Sequence, residues 1–258
     1  MCELLGYSGT RNEELNLLLR EFYTHSHDHP NGWGLALLDP DQRSLEKEPI
    51  PAMKSHYLKT RLTAPIRAEA LMAHVRLATI GVDQYTNCHP FMDTDCSGRT
   101  WTLMHNGTIF SYRPMELYSR IQEGTTDSER ILLFLMDCIA RETEKKQHPL
   151  NDKERFDVVE HVAESISAGN NKVNLMIYDG DLFYVHSNCR ETLHSWTRAD
   201  SIVFSSVPLK QGEWKPVPIN TITAYKGSRA VFRSVPHKNE YIFNAEQYRM
   251  LFLDFSSL

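Results

Sequence analysis

Eight short runs rich in β-branched and aromatic residues punctuate this 258-residue chain, and few are linked to the next by a helix. They fall at 33–38, 71–78, 101–104, 173–178, 182–186, 202–205, 222–225 and 230–235. A parallel pair of strands needs a crossover of about a dozen residues, usually helical, whereas an antiparallel pair needs only a turn. Asp179-Gly180, between two of the runs, is a two-residue hairpin signal. Helical spacing is confined to three places. Over 12–24, Leu15, Leu18, Leu19 and Phe22 share one face. At 126–129, "TDSE" has the form of a capping box ahead of Leu132, Leu135 and Ile139. A helix opening at Asn151 turns Phe156, Val159, Ala163 and Ile166 inward. The expectation is an α+β fold of antiparallel sheets covered by helices, in a single domain over residues 1–258.

A chain of this length can bury a sizeable core, and 41% hydrophobic with 24% charged residues is a globular rather than a disordered balance. The formal charge of -5, with no Lys/Arg block, gives no footprint for nucleic acid or an anionic membrane. No apolar run reaches the ~20 residues of a membrane span, and the start lacks the pattern of a signal peptide, so a cytoplasmic location is expected. The five cysteines are odd in number and form no C-x-x-C pair. Neither a disulfide framework nor a zinc ribbon is indicated, and cysteine chemistry here would use a free thiol.

Four local patterns hold residues able to do chemistry, and each has a plain structural reading. Cys2, taken singly, is a small apolar residue after the initiator methionine. "AHVRLAT" at 73–79 is a strand with one Arg on it, which a salt bridge would explain. "MHNGT" at 104–108 reads as a strand running into an Asn-Gly turn. "TTDSE" at 125–129 is a helix cap, for which Asp127 needs no further purpose.

Together the four supply the parts of one reaction. Aminopeptidases remove Met1 when a small residue follows, which leaves Cys2 with a free α-amine. An α-amine with a pKa of about 7.7–8 can take the thiol proton, so nucleophile and base would share one residue. The Asn106 side-chain amide and the Gly107 N–H can donate to a tetrahedral oxyanion, and loss of one such donor typically costs ~3–4 kcal/mol. Arg76 can grip a carboxylate bidentately, and Asp127 can pair with an ammonium. Carboxylate, ammonium and amide together describe glutamine.

"MC", "HVRLAT", "HNG" and "TDSE", in this order and at these distances, resemble the class II glutamine amidotransferases, whose glutaminase domain is an N-terminal nucleophile hydrolase. "MCELLG", "GWG" at 32–34 and "CHPF" at 88–91 are similar to the small stand-alone YafJ-like branch. The resemblance implies a four-layer αββα sandwich with two antiparallel sheets between helical layers. It implies Cys2 as a nucleophile forming a thioester, Asn106 and Gly107 as the oxyanion hole, Arg76 on the substrate α-carboxylate and Asp127 on its α-amino group. Thr79 would add a backbone contact to the carboxylate, and the segment before Gly32 would lie over the bound glutamine. The substrate implied is glutamine or a γ-glutamyl compound, releasing ammonia or an amine and then glutamate. Transfer of ammonia to a separate synthase subunit and simple hydrolysis both stay open. A catalytically inactive glutamine-binding module on the same fold is the alternative, since a retained Met1 would block the amine.

Other features carry less. "HSHDH" at 25–29 crowds three imidazoles, but sequential loop histidines seldom converge on one ion. "DTDCSG" at 93–98 opens like a calcium loop and lacks the closing Glu, since position twelve is Met104. There is no Walker A or G-x-G-x-x-G pattern, so neither a metal nor a nucleotide cofactor is expected. His74 and His105 read as structural hydrogen-bonders.

Overall fold

The computed structural model describes residues 2–78 and 82–249, so Thr79 lies outside the described residues. In chain order the strands are β1 (Glu3–Glu14), β2 (Trp33–Leu37), β3 (Ser44–Glu48), β4 (Arg67–Val75), β5 (Phe91–Thr94), β6 (Thr100–Thr108) and β7 (Lys172–Tyr178). They continue as β8 (Phe183–Ser187), β9 (His194–Thr197), β10 (Ser201–Ser205), β11 (Lys215–Pro216), β12 (Thr221–Lys226) and β13 (Arg229–Arg233). The helices are α1 (Asn16–Thr24), α2 (His56–Arg61), α3 (Asp127–Lys146) and α4 (Asp152–Ser167).

Every strand pairing is antiparallel. One sheet runs β11-β9-β10-β1-β4-β2-β3 and the other β13-β12-β8-β7-β6-β5. Alternation along each strand then assigns the layers. In β1, Leu5 and Tyr7 pack with Leu15, Leu19 and Phe22 at α1, while Leu4 packs with Met104, Met176 and Phe183 of the other sheet. In β6, Leu103 packs under α3 and α4 with Ile131, Leu135 and Val159. The result is helix, sheet, sheet, helix: the four-layer αββα sandwich, with antiparallel sheets face to face.

Several boundaries differ from the sequence reading. The helix expected over 12–24 begins at Asn16, because 3–14 is the long strand β1, which was not foreseen. Seven consecutive β1 residues are buried, so it shows no alternation to read. β4 ends at Val75, so Arg76 follows the strand rather than sitting on it. Asn106-Gly107 is not a turn: both lie within β6, opposite Asn174 and Val173. Asp179-Gly180 belongs to a four-residue loop, since Tyr178 pairs with Phe183.

Thr126 caps α3 by accepting from the Glu129 N–H, at 3.2 Å. Glu129 does not return to Thr126; it accepts from the N–H groups of Glu123 and Gly124. At α4 the box is complete between Asn151 and Glu154.

Candidate active site

Cys2 stands just before β1, and strand alternation directs it, with Leu4, between the two sheets. β4 pairs directly with β1, Leu4 opposite His74, which brings Arg76 at the end of β4 beside the start of β1. From the other sheet, β6 turns Asn106 to the same inter-sheet face as Met104. The first turn of α3 supplies Asp127. One cleft at this end of the sandwich is lined by Cys2, Arg76, Leu77, Ala78, His89, His105, Gly107, Thr108, Thr126, Asp127 and Ser128. Five segments distant in sequence thus meet there, with His89 as the fifth. Asn106 is buried beside it, and its side-chain oxygen has no hydrogen-bond partner among the described residues. Three other clefts are roomier, about 410 Å³ between α3 and α4, about 390 Å³ beside Asp179 and Gly180, and about 360 Å³ beside β5. The first contains Cys138, whose thiol burial pushes up rather than activates.

The Cys2 thiol lies 3.5 Å from the Leu77 carbonyl. Burial pushes its pKa up from the ordinary value, partly opposed by the positive charge of Arg76. The thiol is therefore protonated at neutral pH and needs a base to become a nucleophile.

Arg76 is 2% exposed. Its backbone N–H donates to the Gly32 carbonyl, and its own carbonyl accepts from the Asn31 N–H, tying the segment before Trp33 to this side of the cleft. Its Nη1 donates to Asp83 Oδ1 at 3.0 Å and approaches the carbonyls of Asn31 and Val82 at 3.4 Å. Asn31 completes the arrangement, donating to Asp83 Oδ2 and accepting from the Ala78 N–H. Asp83 and Asn31 carried no signal in the sequence.

Asp127 accepts from the Ile109 N–H at 2.8 Å and, on its other oxygen, from the Ser128 hydroxyl at 3.3 Å. His105 bridges Ser128 Oγ and the Lys172 carbonyl and is, as expected, a structural hydrogen-bonder. His74 is different: it stacks on His89 with ring centroids 4.2 Å apart, and neither ring makes a side-chain hydrogen bond among the described residues. Burial holds both imidazoles well below their ordinary pKa, so both are neutral. Gly107 admits no side chain, since a Cβ would stand 1.8 Å from the Lys172 carbonyl oxygen.

Among the described residues no group of three or more His, Cys, Asp and Glu is placed to hold a metal ion, and no helix is long and apolar enough to cross a membrane. His25 and His29 turn instead toward Glu3.

The model of the class II glutamine amidotransferases matches residues 1–246. Protein MJ1515 of Methanocaldococcus jannaschii is 31% identical over 190 residues, covering 74% of this chain and 52% of that protein. YafJ of Escherichia coli, named as a candidate glutamine amidotransferase, is 29% identical over 203 residues, covering 77% of this chain and 76% of YafJ. The chain therefore spans about half the length of the first relative and three quarters of the second. Among solved structures, the glutamine phosphoribosylpyrophosphate amidotransferase of Bacillus subtilis superposes with a TM-score of 0.64 at 16% identity, over 89% of this chain and 48% of that one. That likeness is one of fold. With the sandwich and a cleft holding Cys2, Arg76, Gly107 and Asp127, the match across residues 1–246 makes this chain a member of the class II glutamine amidotransferase family.

Proposed function

We propose that this chain hydrolyses the γ-amide of glutamine, or of a γ-glutamyl compound, through a thioester on Cys2, as one domain over residues 1–258. The observation that carries the reading is the convergence of Cys2, Arg76, Gly107 and Asp127 on one cleft. With Met1 removed, the Cys2 α-amine takes the thiol proton and the sulfur attacks the amide carbon. The oxyanion that forms is held by the Gly107 N–H and the Asn106 side-chain amide. The C–N bond breaks, the leaving ammonia or amine carries off the proton from the α-amine, and water then cleaves the thioester to release glutamate. Arg76 holds the α-carboxylate and Asp127 the α-ammonium, each at the end of the substrate that does not react. Nothing in this scheme needs a metal or a cofactor, and the ammonia is either released or taken up by a separate synthase.

The test is ammonia and glutamate release from glutamine, beside intact mass before and after a glutamine-like diazoketone. Cys2→Ala is expected to abolish both turnover and the single covalent adduct while leaving the thermal unfolding midpoint unchanged. A folded Cys2→Ala variant with undiminished release would sink the reading. A wild-type chain that keeps Met1, binds glutamine and forms no adduct would leave a binding module in its place.

A further inference from the structure

Glu3 is a carboxylate on a core-facing position. Strand alternation sends it away from the cleft, to the side where Leu5 packs against α1. It is only 9% exposed, and a buried acid needs partners. It has two: His25 Nδ1 at 2.5 Å and His29 Nε2 at 3.6 Å. The turn carrying them is itself fastened. His29 Nδ1 bonds the His25 carbonyl at 2.8 Å, Ser26 Oγ accepts from the Met53 N–H at 3.0 Å, and the His25 ring lies against Phe22.

This grip acts where β1 is thinnest. Glu3 pairs with Val75 of β4, but pairing with β10 begins only at Leu5, helped by the exchange between Leu4 and Ser206. Chain ends held on one side fray. Resting on the proposed role of Cys2, we infer that the Glu3 carboxylate, gripped by His25 and His29, is a positioning residue for the nucleophile and sets an alkaline limit on activity.

The alkaline limit follows from charge. His25 is faced by Glu3 from β1, Glu21 from α1 and Asp28 from its own turn, and shares Glu3 with His29. The Glu3 hydrogen bond raises its pKa above the usual 6.5, against the opposing effect of burial. A group with a raised folded pKa contributes its stabilisation fully below the unfolded value and loses it as pH rises through the folded one. The ionic grip is therefore intact below the ordinary imidazole value and released as pH rises through the raised one, while the reactivity of the Cys2 thiol and amine climbs with pH. The two trends give a bell-shaped profile whose descending limb belongs to His25.

The experiment measures kcat, KM and the rate of diazoketone alkylation of Cys2 across pH for the wild type, Glu3→Gln and His25→Lys. Glu3→Gln keeps the shape and removes the charge. It should lower kcat and the alkylation rate about tenfold, with KM within twofold, because a misplaced nucleophile loses rate rather than binding. Its descending limb should move to lower pH. His25→Lys, a cation over the whole range, should keep wild-type activity and carry the limb upward. Unchanged pH profiles in both variants, with or without a loss of thermal stability, would reduce the cluster to a structural contact and overturn the inference. A wild type that neither turns over glutamine nor takes the label would overturn the reading of Cys2, and this inference with it.

Discussion

Arg76 already has a carboxylate. Its Nη1 meets Asp83 at 3.0 Å, and the cleft that Arg76 lines holds about 40 Å³, room for water rather than for a free amino acid. A substrate carboxylate that is to reach this guanidinium competes with Asp83, whose side chain is 46% exposed and able to swing outward. Asp83→Asn keeps the size and removes the rival charge. A part-exposed ion pair is worth on the order of 1 kcal/mol, so KM for glutamine should fall about fivefold with kcat unchanged. A steady-state titration checks this, and a raised KM would mean that Asp83 holds Arg76 in place instead. Cys2, Arg76, Gly107 and Asp127 were legible in the sequence because each is a chemically loaded residue inside a short pattern. Asp83 and Glu3 were not, because what gives them meaning is a partner, and the partners of Glu3 lie 22 and 26 residues away at His25 and His29.

Among the elements, the buried strands rich in β-branched and aromatic residues, such as β2, β7, β8 and β10, were read, and the short, partly exposed β3, β5, β9 and β11 were not. α4 was legible from its cap and from the spacing of Phe156, Val159, Ala163 and Ile166, all buried. β1 was missed although it presents Cys2, because its residues Glu3–Glu14 include no Val or Ile and two glycines, so it lacks the composition that marks a strand. The Asn-Gly of β6 misled for a different reason. Its turn propensity is local, and seven ladder pairs with β7 override it. The Asp179 loop shows tertiary bonding of a kind no propensity reports. Its carboxylate accepts from the Asp181 and Leu182 N–H groups, from the Tyr184 hydroxyl at 2.7 Å and from Arg155 Nε at 2.6 Å. Arg155 is itself buried, with Asp152 as a second partner. Asp179→Ala strips four accepted bonds and leaves a buried guanidinium short of its counter-ion, which should cost about 3–5 kcal/mol. Urea unfolding should show that loss as a lower midpoint at unchanged slope, and a change below ~1 kcal/mol would mean that Asp152 and Asp181 suffice for Arg155.

At the scale of the whole molecule the cleft is a joint between the sheets: Cys2 and Arg76 come from one, Gly107 and Asn106 from the other. Its geometry therefore depends on how the two sheets are spaced, and the inter-sheet layer sets that. Gly6 shows how close they come, since a Cβ there would stand 2.7 Å from the Met176 sulfur and 2.8 Å from the Phe183 ring. Two fully buried side chains of this layer make a controlled comparison. Met104 lies two residues before Asn106 on the same face of β6. Phe183 sits farther along the sandwich, stacked on Phe204 with centroids 5.7 Å apart. Truncation of either to Ala removes a large buried side chain and should cost about 2–5 kcal/mol. For a domain of this size that lowers the thermal midpoint by roughly 2–4 °C per kcal/mol. The effects on catalysis should part company. Measured well below the midpoint, Phe183→Ala should keep kcat within twofold, because Leu4, Met72, Met104 and Met176 still hold the sheets apart at the cleft. Met104→Ala removes the support directly beneath Asn106 and should lower kcat at least tenfold at similar stability, since donors to an oxyanion lose most of their effect when displaced. Equal kcat values in the two variants would show that the cleft is held by its own hydrogen bonds, through His105, Ser128 and Asp127, and not by the spacing of the sheets.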